Sequence, residues 1–241
     1  MKVYLDNAAT TKMDPEVLKA MMPYMTDDYG NPSSIHSFGR KTRSAIEVAR
    51  KTVAKHLNVT PAEIFFTSGG TEADNIAIVQ SVNTFGIKHI ITSPTEHHAV
   101  EHTVANLEKQ GKVSVTWLKQ DGKGNISLQE LEEALKAHPK SLVSLMHANN
   151  ELGTLLPMKE VGELCEKYNA LFHSDTVQTM GHYKMDLKEI KVHFLTCGAH
   201  KFHGPKGVGF LYMHHEHKLQ PFIFGLSKLQ KISLGTDNFY D

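Results

Sequence analysis

Two cysteines, Cys165 and Cys197, are all that the 241 residues contain. That is too few for a disulfide framework and excludes the small secreted scaffolds that rely on one. A surplus of charge is missing too: Lys plus Arg and Asp plus Glu number 26 each. No net field draws the chain to nucleic acid or to an anionic membrane, so neither is expected as a partner. Each apolar run is broken by His, Thr or Gly well short of the length that spans a bilayer. No charged-then-apolar leader precedes Tyr4-Leu5-Asp6, which with the unpaired thiols points to a reducing cytoplasm and leaves the sequon at Asn58-Val59-Thr60 without meaning. Internal repeats and low-complexity blocks are also lacking.

What is present is the composition of a globular protein with one sizeable core, 40% hydrophobic and 22% charged. Seven short runs read as strands, at 63–67, 88–93, 113–118, 142–147, 171–175, 192–197 and 208–213. Helical patterns lie between or before them, including 14–24, 40–57 and 127–137, the first opened by Asp14-Pro15 as cap and first helical residue. The alternation predicts an α/β fold with a mostly parallel seven-stranded sheet and helices on both faces. Three segments stand outside it: 1–11 is a lone extended stretch, 28–38 a loop rich in Gly, Pro and Ser, and 226–241 has no clear period. The 16 histidines assign no role by number alone. Those at His214-His215-Glu216-His217 read as a solvated turn, because neighbours in a short loop do not all face one ion, and no metal is expected.

The chemistry gathers at strand ends. Cys197-Gly198-Ala199-His200-Lys201 leaves a buried-looking strand, and a lysine there, partly desolvated and near Lys206, would lose proton affinity and could attack an aldehyde. Asp175 ends a strand and Gln178 follows, a carboxylate and an amide at the edge where open α/β sheets bind ligands. That pair suits a pyridine ring, the acid keeping the ring nitrogen protonated. Thr67-Ser68-Gly69-Gly70-Thr71-Glu72 runs from strand to helix with exposed amides for a phosphate, and lacks both common nucleotide-loop patterns. His97 follows a second strand, where its ring could stack on a cofactor, and Asn149-Asn150 follow a fourth. Each also has an ordinary reading: Lys201 as a surface charge, Asp175 as a helix cap, the glycine pair as a capped turn. Their shared rim favours one site.

Tyr4–Thr11, Asn31-Pro32-Ser33-Ser34-Ile35-His36, residues 67–75, Thr95-Glu96-His97, Asn149-Asn150-Glu151-Leu152-Gly153 and Ala199-His200-Lys201 together closely resemble cysteine desulfurases of the class V aminotransferase superfamily. The resemblance runs from Met1 to about Gly225. It implies the large domain of a fold-type-I enzyme dependent on pyridoxal 5'-phosphate (PLP), with Lys201 bonding the cofactor aldehyde and moving protons. It implies Asp175 at the pyridine nitrogen, Gln178 and Asn150 near the phenolic oxygen, and His97 over the ring with a catalytic part. Gly70, Thr71 and His200 would hold the phosphate, with Gly198 and Ala199 in the same binding stretch. It further implies a homodimer in which Thr236, in Gly235-Thr236-Asp237-Asn238, reaches the partner's phosphate. The implied substrate is L-cysteine, whose sulfur passes to an enzyme cysteine and on to an iron–sulfur scaffold or another acceptor. Selenocysteine lyases and aminotransferases share the lysine and aspartate, and a non-catalytic remnant that only binds cofactor or dimerises is the other alternative.

Departures from the family pattern are specific. Gly198 stands where members often carry Ser, and 226–234 lacks the usual glycine run, Gln-Glu and Arg. The expected organisation is an N-terminal segment, 1–25, that would pack with a small domain; a cofactor-binding domain, 26–225; and an irregular tail, 226–241. The chain ends where the family continues into that small domain, source of the nucleophilic cysteine and of a substrate-clamping arginine. Cys165 lies in a helical pattern at 161–168 and reads as core, and the position of Cys197 on a strand does not match the persulfide-forming loop. Little or no turnover is therefore expected of this chain.

Overall fold

The computed structural model describes residues 1–223. Helix α1, Pro15–Thr26, starts where expected, with Asp14 accepting a hydrogen bond from the Glu16 N–H at 2.8 Å. Helix α2, Ser37–Leu57, begins three residues before the sequence pattern suggests, because His36 Nδ1 accepts from the Gly39 N–H and caps an earlier turn. It ends at Asn58 in the left-handed region. Then follow β1 (Ile64–Thr67), α3 (Gly70–Phe85), β2 (His89–Thr92), α4 (His98–Lys109), β3 (Ser114–Trp117) and α5 (Leu128–Ala137). The remainder is β4 (Leu142–Ser144), α6 (Met158–Lys167), β5 (Leu171–Asp175), β6 (Phe194–Gly198) and β7 (Gly209–Met213).

The strands form one sheet in the order β1-β7-β6-β5-β4-β2-β3. All neighbours are parallel except at β7, which runs antiparallel to both β1 and β6. The strands are apolar on both faces, as a sheet covered on both sides requires. Successive residues feed opposite cores. Ile91, Val143, Phe172, Leu195 and Tyr212 pack with α2, α5 and α6, whereas Ile90, Leu142, Leu171, Phe194 and Leu211 pack with α3 and α4. Each fully buried aliphatic or aromatic side chain contributes about 1.5–3 kcal/mol relative to exposure. Cys165 sits in the first of these cores, fully buried, as its helical pattern predicts.

The expected strand at 142–147 is the one most shortened. Its ladder stops at Ser144, yet the Leu145 and His147 N–H groups still donate to the carbonyls of His173 and Asp175, at 3.1 and 2.9 Å. The chain thus follows β5 to its end before turning at Asn149 and Asn150. Helix α1 buries no side chain, and Leu18, Met22, Tyr24 and Met25 face outward. Residues 8–14 instead dock on the loop after β6. Thr11 donates from its N–H and Oγ1 to the His200 carbonyl at 2.8 and 2.9 Å, and the Asp14 N–H donates to the His203 carbonyl at 3.0 Å. Residues 226–241, with Thr236, lie outside the described residues.

Gly209 opens β7 where three backbones meet. A Cβ there would stand 2.2 Å from the Cys197 carbonyl oxygen and 2.8 Å from Gly69 Cα. Gly209→Ala is therefore expected to destabilise the protein by about 1–3 kcal/mol, the usual cost of overpacking, read from the urea midpoint. An unchanged midpoint would contradict this packing.

Candidate active site

The C-terminal ends of β1, β2, β4, β5 and β6 border a cleft of about 230 Å³ lined by Ala9, Gly70, Thr71, Asp74, His97, Met146, Asn150, Asp175, Val177, Gln178, His200 and Lys201. Eight of the residues singled out from sequence meet here. Gly198 sits just behind the wall, and Ala199 is buried in the turn, its N–H donating to the Val208 carbonyl at 3.0 Å and its carbonyl accepting from the Phe202 and Gly204 N–H groups.

At one end of the cleft α3 begins without any side-chain cap on its first amides. Ser68 does not cap it, because its N–H and Oγ both donate to Glu72, at 2.6 and 2.8 Å. The Gly70 and Thr71 amides have no intrahelical acceptor by position, and the helix dipole places positive potential there. A Cβ at Gly70 would meet Val177 Cγ2 at 2.7 Å, so the Val177 side chain would have to move. Gly198 has room to spare: its nearest neighbour to a Cβ, the Gly70 nitrogen, is at 3.6 Å. A hydroxyl-bearing Cβ would fit at this position.

Opposite lies Asp175, 5% exposed, accepting from the Val177 N–H at 2.8 Å. The structure therefore gives it the local turn bond of a capping residue and a place in the cleft wall at once. Burial pushes its carboxyl upward, the charge of Asp74 adds to this, and the Val177 N–H, His97 and His173 oppose it. Asp74, on α3, was not anticipated. It is 1% exposed, neither carboxylate oxygen makes a hydrogen bond, and the nearest cation-capable group is His173 Nε2 at 3.4 Å. Burial raises its pKa from 3.8 to about 7. Glu96 is a third buried acid: Oε1 accepts from the Met146 N–H at 2.8 Å, Oε2 has no partner, and burial raises its pKa well above the usual carboxylate range. The available signal for Asp74 was an acid set among apolar residues of the helix, Ala73, Ile76, Ala77 and Ile78 all being buried.

Lys201 projects from a short 3-10 turn, Ala199–Lys201. Its proton affinity is lowered by burial, against the pull of Asp175 and Asp6. The expected effect of Lys206 falls elsewhere, on His200, which burial, Lys201 and Lys206 together hold below the usual imidazole range. Lys201 Nζ and Gln178 Nε2 both donate to the Ala8 carbonyl, the latter at 3.0 Å, so the N-terminal segment forms a wall of the cleft. His200 Nδ1 lies 3.1 Å from Thr10 Oγ1. His97 caps α4, its Nδ1 accepting from the Ala99 N–H at 3.1 Å, and presents an exposed ring to the cleft. Of the two asparagines, Asn149 is structural, accepting from the Glu151 and Leu152 N–H groups, and Asn150 faces the cleft.

This donor set fits pyridoxal phosphate. A buried carboxyl with no ion-pair partner at Asp175 suits a cationic ring nitrogen, free helix amides suit a phosphate, and a lysine of reduced proton affinity suits an aldehyde. Cys165 and Cys197 stand apart, both buried and both with thiols pushed upward by burial. His214 and His215 converge on Glu63, whose carboxylate already accepts from Thr60 N–H and Oγ1 and from the His215 N–H, making a hydrogen-bonded turn.

The family model for class-V aminotransferases matches residues 3–241. The chain belongs to the class-V aminotransferase family. Among relatives of this class-V chain, the cysteine desulfurase IscS of Clostridium botulinum (strain Hall) is 46% identical over 239 residues, which are 98% of this chain and 60% of that protein. A NifS-like protein of solved structure is 42% identical with a TM-score of 0.88, covering 93% of this chain and 62% of the other. SspA in complex with cysteine is 36% identical with a TM-score of 0.89, covering 93% and 65%. The class-V sheet described above is thus the large-domain sheet of fold-type-I enzymes, and the chain spans less than two thirds of each of these proteins.

The buried acids carry a pH signature in the protein without added cofactor. An acid whose folded pKa lies above its unfolded value keeps a proton that the unfolded chain has released. Stability therefore falls as pH rises from about 4 to 7 and stays low above it. For Asp74 the loss is about 4 kcal/mol at most, at roughly 1.4 kcal/mol per pKa unit. Asp74→Asn should raise stability at pH about 8 by roughly 1–3 kcal/mol relative to wild type and have little effect at pH about 4. Urea unfolding at the two pH values checks this, and parallel profiles for the two proteins would show that Asp74 is not held protonated by burial.

Proposed function

We propose that this chain is the PLP-binding part of a cysteine desulfurase. The observation that carries the reading is the meeting of Lys201, Asp175 and the uncapped start of α3 around one cleft. The cysteine desulfurase name of a 46% identical relative supports it, as does the cysteine bound in a similar structure.

Pyridoxal phosphate, when bound, supplies an aldehyde that bonds amines and a ring that accepts electrons. Around it each residue has a defined task. The Gly70 and Thr71 amides, with His200, would hold the phosphate. Asp175 would keep a proton at the ring nitrogen, and its isolation from water would strengthen that pairing. Gln178 and Asn150 would serve the phenolic oxygen, and His97 would cover one face of the ring. Lys201 would offer the amine that bonds the aldehyde and would move protons at the substrate α-carbon. Its lowered proton affinity leaves more of it in the neutral form that both tasks require.

The sulfur must then reach a thiolate. Neither cysteine of this sequence qualifies, because both are buried and held protonated. The acceptor is a cysteine outside these 241 residues, and onward transfer to an iron–sulfur scaffold or another sulfur carrier follows by analogy with the relatives. A homodimer with Thr236 contributed across the interface, and residence in the cytoplasm, belong to the same proposal. Among the described residues no helix is long and apolar enough to cross a membrane.

Titration with pyridoxal phosphate should produce a visible absorption band that Lys201→Ala abolishes. Asp175→Asn should keep a lysine-dependent band but weaken cofactor affinity by roughly tenfold or more, about 1.4 kcal/mol. A band that survives Lys201→Ala would refute the assignment. Incubation of the cofactor-loaded 241-residue chain with L-cysteine should release no more than one equivalent of alanine per chain. Many turnovers would show that some other group accepts the sulfur.

A further inference from the structure

Outside the cleft, the first turn of α4 carries two imidazoles and a carboxylate at His98, Glu101 and His102. Positions i, i+3 and i+4 share one helix face with Cβ atoms about 5–6 Å apart, whatever the side-chain rotamers. The His98 and His102 rings lie parallel, centroids 5.0 Å apart and planes 2° from coplanar, and Glu101 Oε2 is 3.5 Å from His102 Nε2. One donor atom from each of the three falls within 4.8 Å of the others. We propose that His98, Glu101 and His102 form a binding site for a divalent transition-metal ion of the Zn²⁺ type.

Several observations favour this group over the two other clusters of similar composition among the described residues. The Glu63 carboxylate near His214 and His215 is already saturated by hydrogen bonds. The Asp74, His97 and Asp175 set belongs to the cleft already described. On α4, by contrast, both rings are exposed and neither makes a hydrogen bond to the described protein, so metal binding breaks nothing. Tetrahedral zinc with bonds of about 2.0–2.1 Å needs donors about 3.3–3.5 Å apart, a contraction that exposed side chains reach by small torsional changes.

The chemistry selects the ion. Two imidazoles and one carboxylate suit Zn²⁺, Ni²⁺ and Cu²⁺ and discriminate against Mg²⁺ and Ca²⁺, which prefer oxygen. The positive end of the α4 dipole opposes a cation there. Glu101 offsets it directly, and Glu151, on the opposite wall of a 510 Å³ cleft that His98 and Glu101 also line, adds negative potential. That cleft shares His97 and Asn150 with the cofactor site, so the two sites are neighbours. The site does not depend on what the cofactor cleft does.

The test uses Zn²⁺ alone, titrated into the chain against a chromogenic chelator in thiol-free buffer at about pH 7.5, where imidazole is mostly neutral. His98→Ala and His102→Ala should each weaken one site by roughly tenfold or more, as losing a ligand costs at least what losing an outer-shell partner does. Glu101→Gln should weaken it less, and the double variant His214→Ala, His215→Ala should retain it. All the substituted positions on α4 are at least partly exposed, and circular dichroism checks that the helix persists. Unchanged zinc affinity in both single histidine variants, or loss of the site in the His214, His215 double variant, would overturn the proposal.

Discussion

Two carboxyls whose simultaneous charging is costly govern this molecule. Asp74 and Asp175 are shut away from water at the same sheet edge, with Glu96 close behind, and no fixed cation balances them apart from the reach of His97 and Lys201. In a low-dielectric setting an unpaired pair of this kind is costly, and it persists where something else compensates. A cationic ring nitrogen at Asp175 is such a compensation. The arrangement also makes His173 neutral, because burial holds its imidazole down to about 4 even beside Asp175. Its ring then acts as a hydrogen-bond bridge between Ser144 and Thr196, at 2.9 and 3.1 Å, that ties β4, β5 and β6 together beneath the acids.

The rest of the site is arranged around that edge by the sheet. β5 delivers Asp175 at its last residue, β6 delivers the turn bearing His200 and Lys201, and β1 leads into the start of α3. The close approach of Gly70 to Val177, and of Gly209 to Gly69 and Cys197, brings these ends together, and a side chain at Gly209 would press on the backbone of Gly69 just before the phosphate-facing amides. Glycine acts here through absence of volume more than through backbone freedom, although Gly69, at φ 152°, also needs the latter.

Much of this was readable from the residues in order. Strand ends followed by small or polar residues announced Lys201, Asp175, Gln178 and the Thr67–Glu72 turn, because parallel sheets place such ends on one rim. What escaped notice depends on distance in space. Asp74 is one acid on a helix whose burial nearly all round is set by the strands it crosses, and helical periodicity alone does not reveal that. Lys206 is five residues from Lys201, but the turn through Gly204 and Gly207 directs its field to His200. The early residues looked like a lone extended stretch awaiting another domain, yet residues 8–14 lean on the loop after β6. Their hydrogen bonds cross nearly the whole chain, and no local pattern encodes such pairings.

That docking has a consequence for how the protein is made. The Ala8 carbonyl meets Lys201 across 193 positions of sequence, and among the described residues β1 pairs only with β7. Contacts of such long range form late and slowly. Docking of residues 8–14 is therefore expected to follow formation of the sheet that carries Lys201, so that the lysine gains its contact with Ala8 only as the last long loop closes.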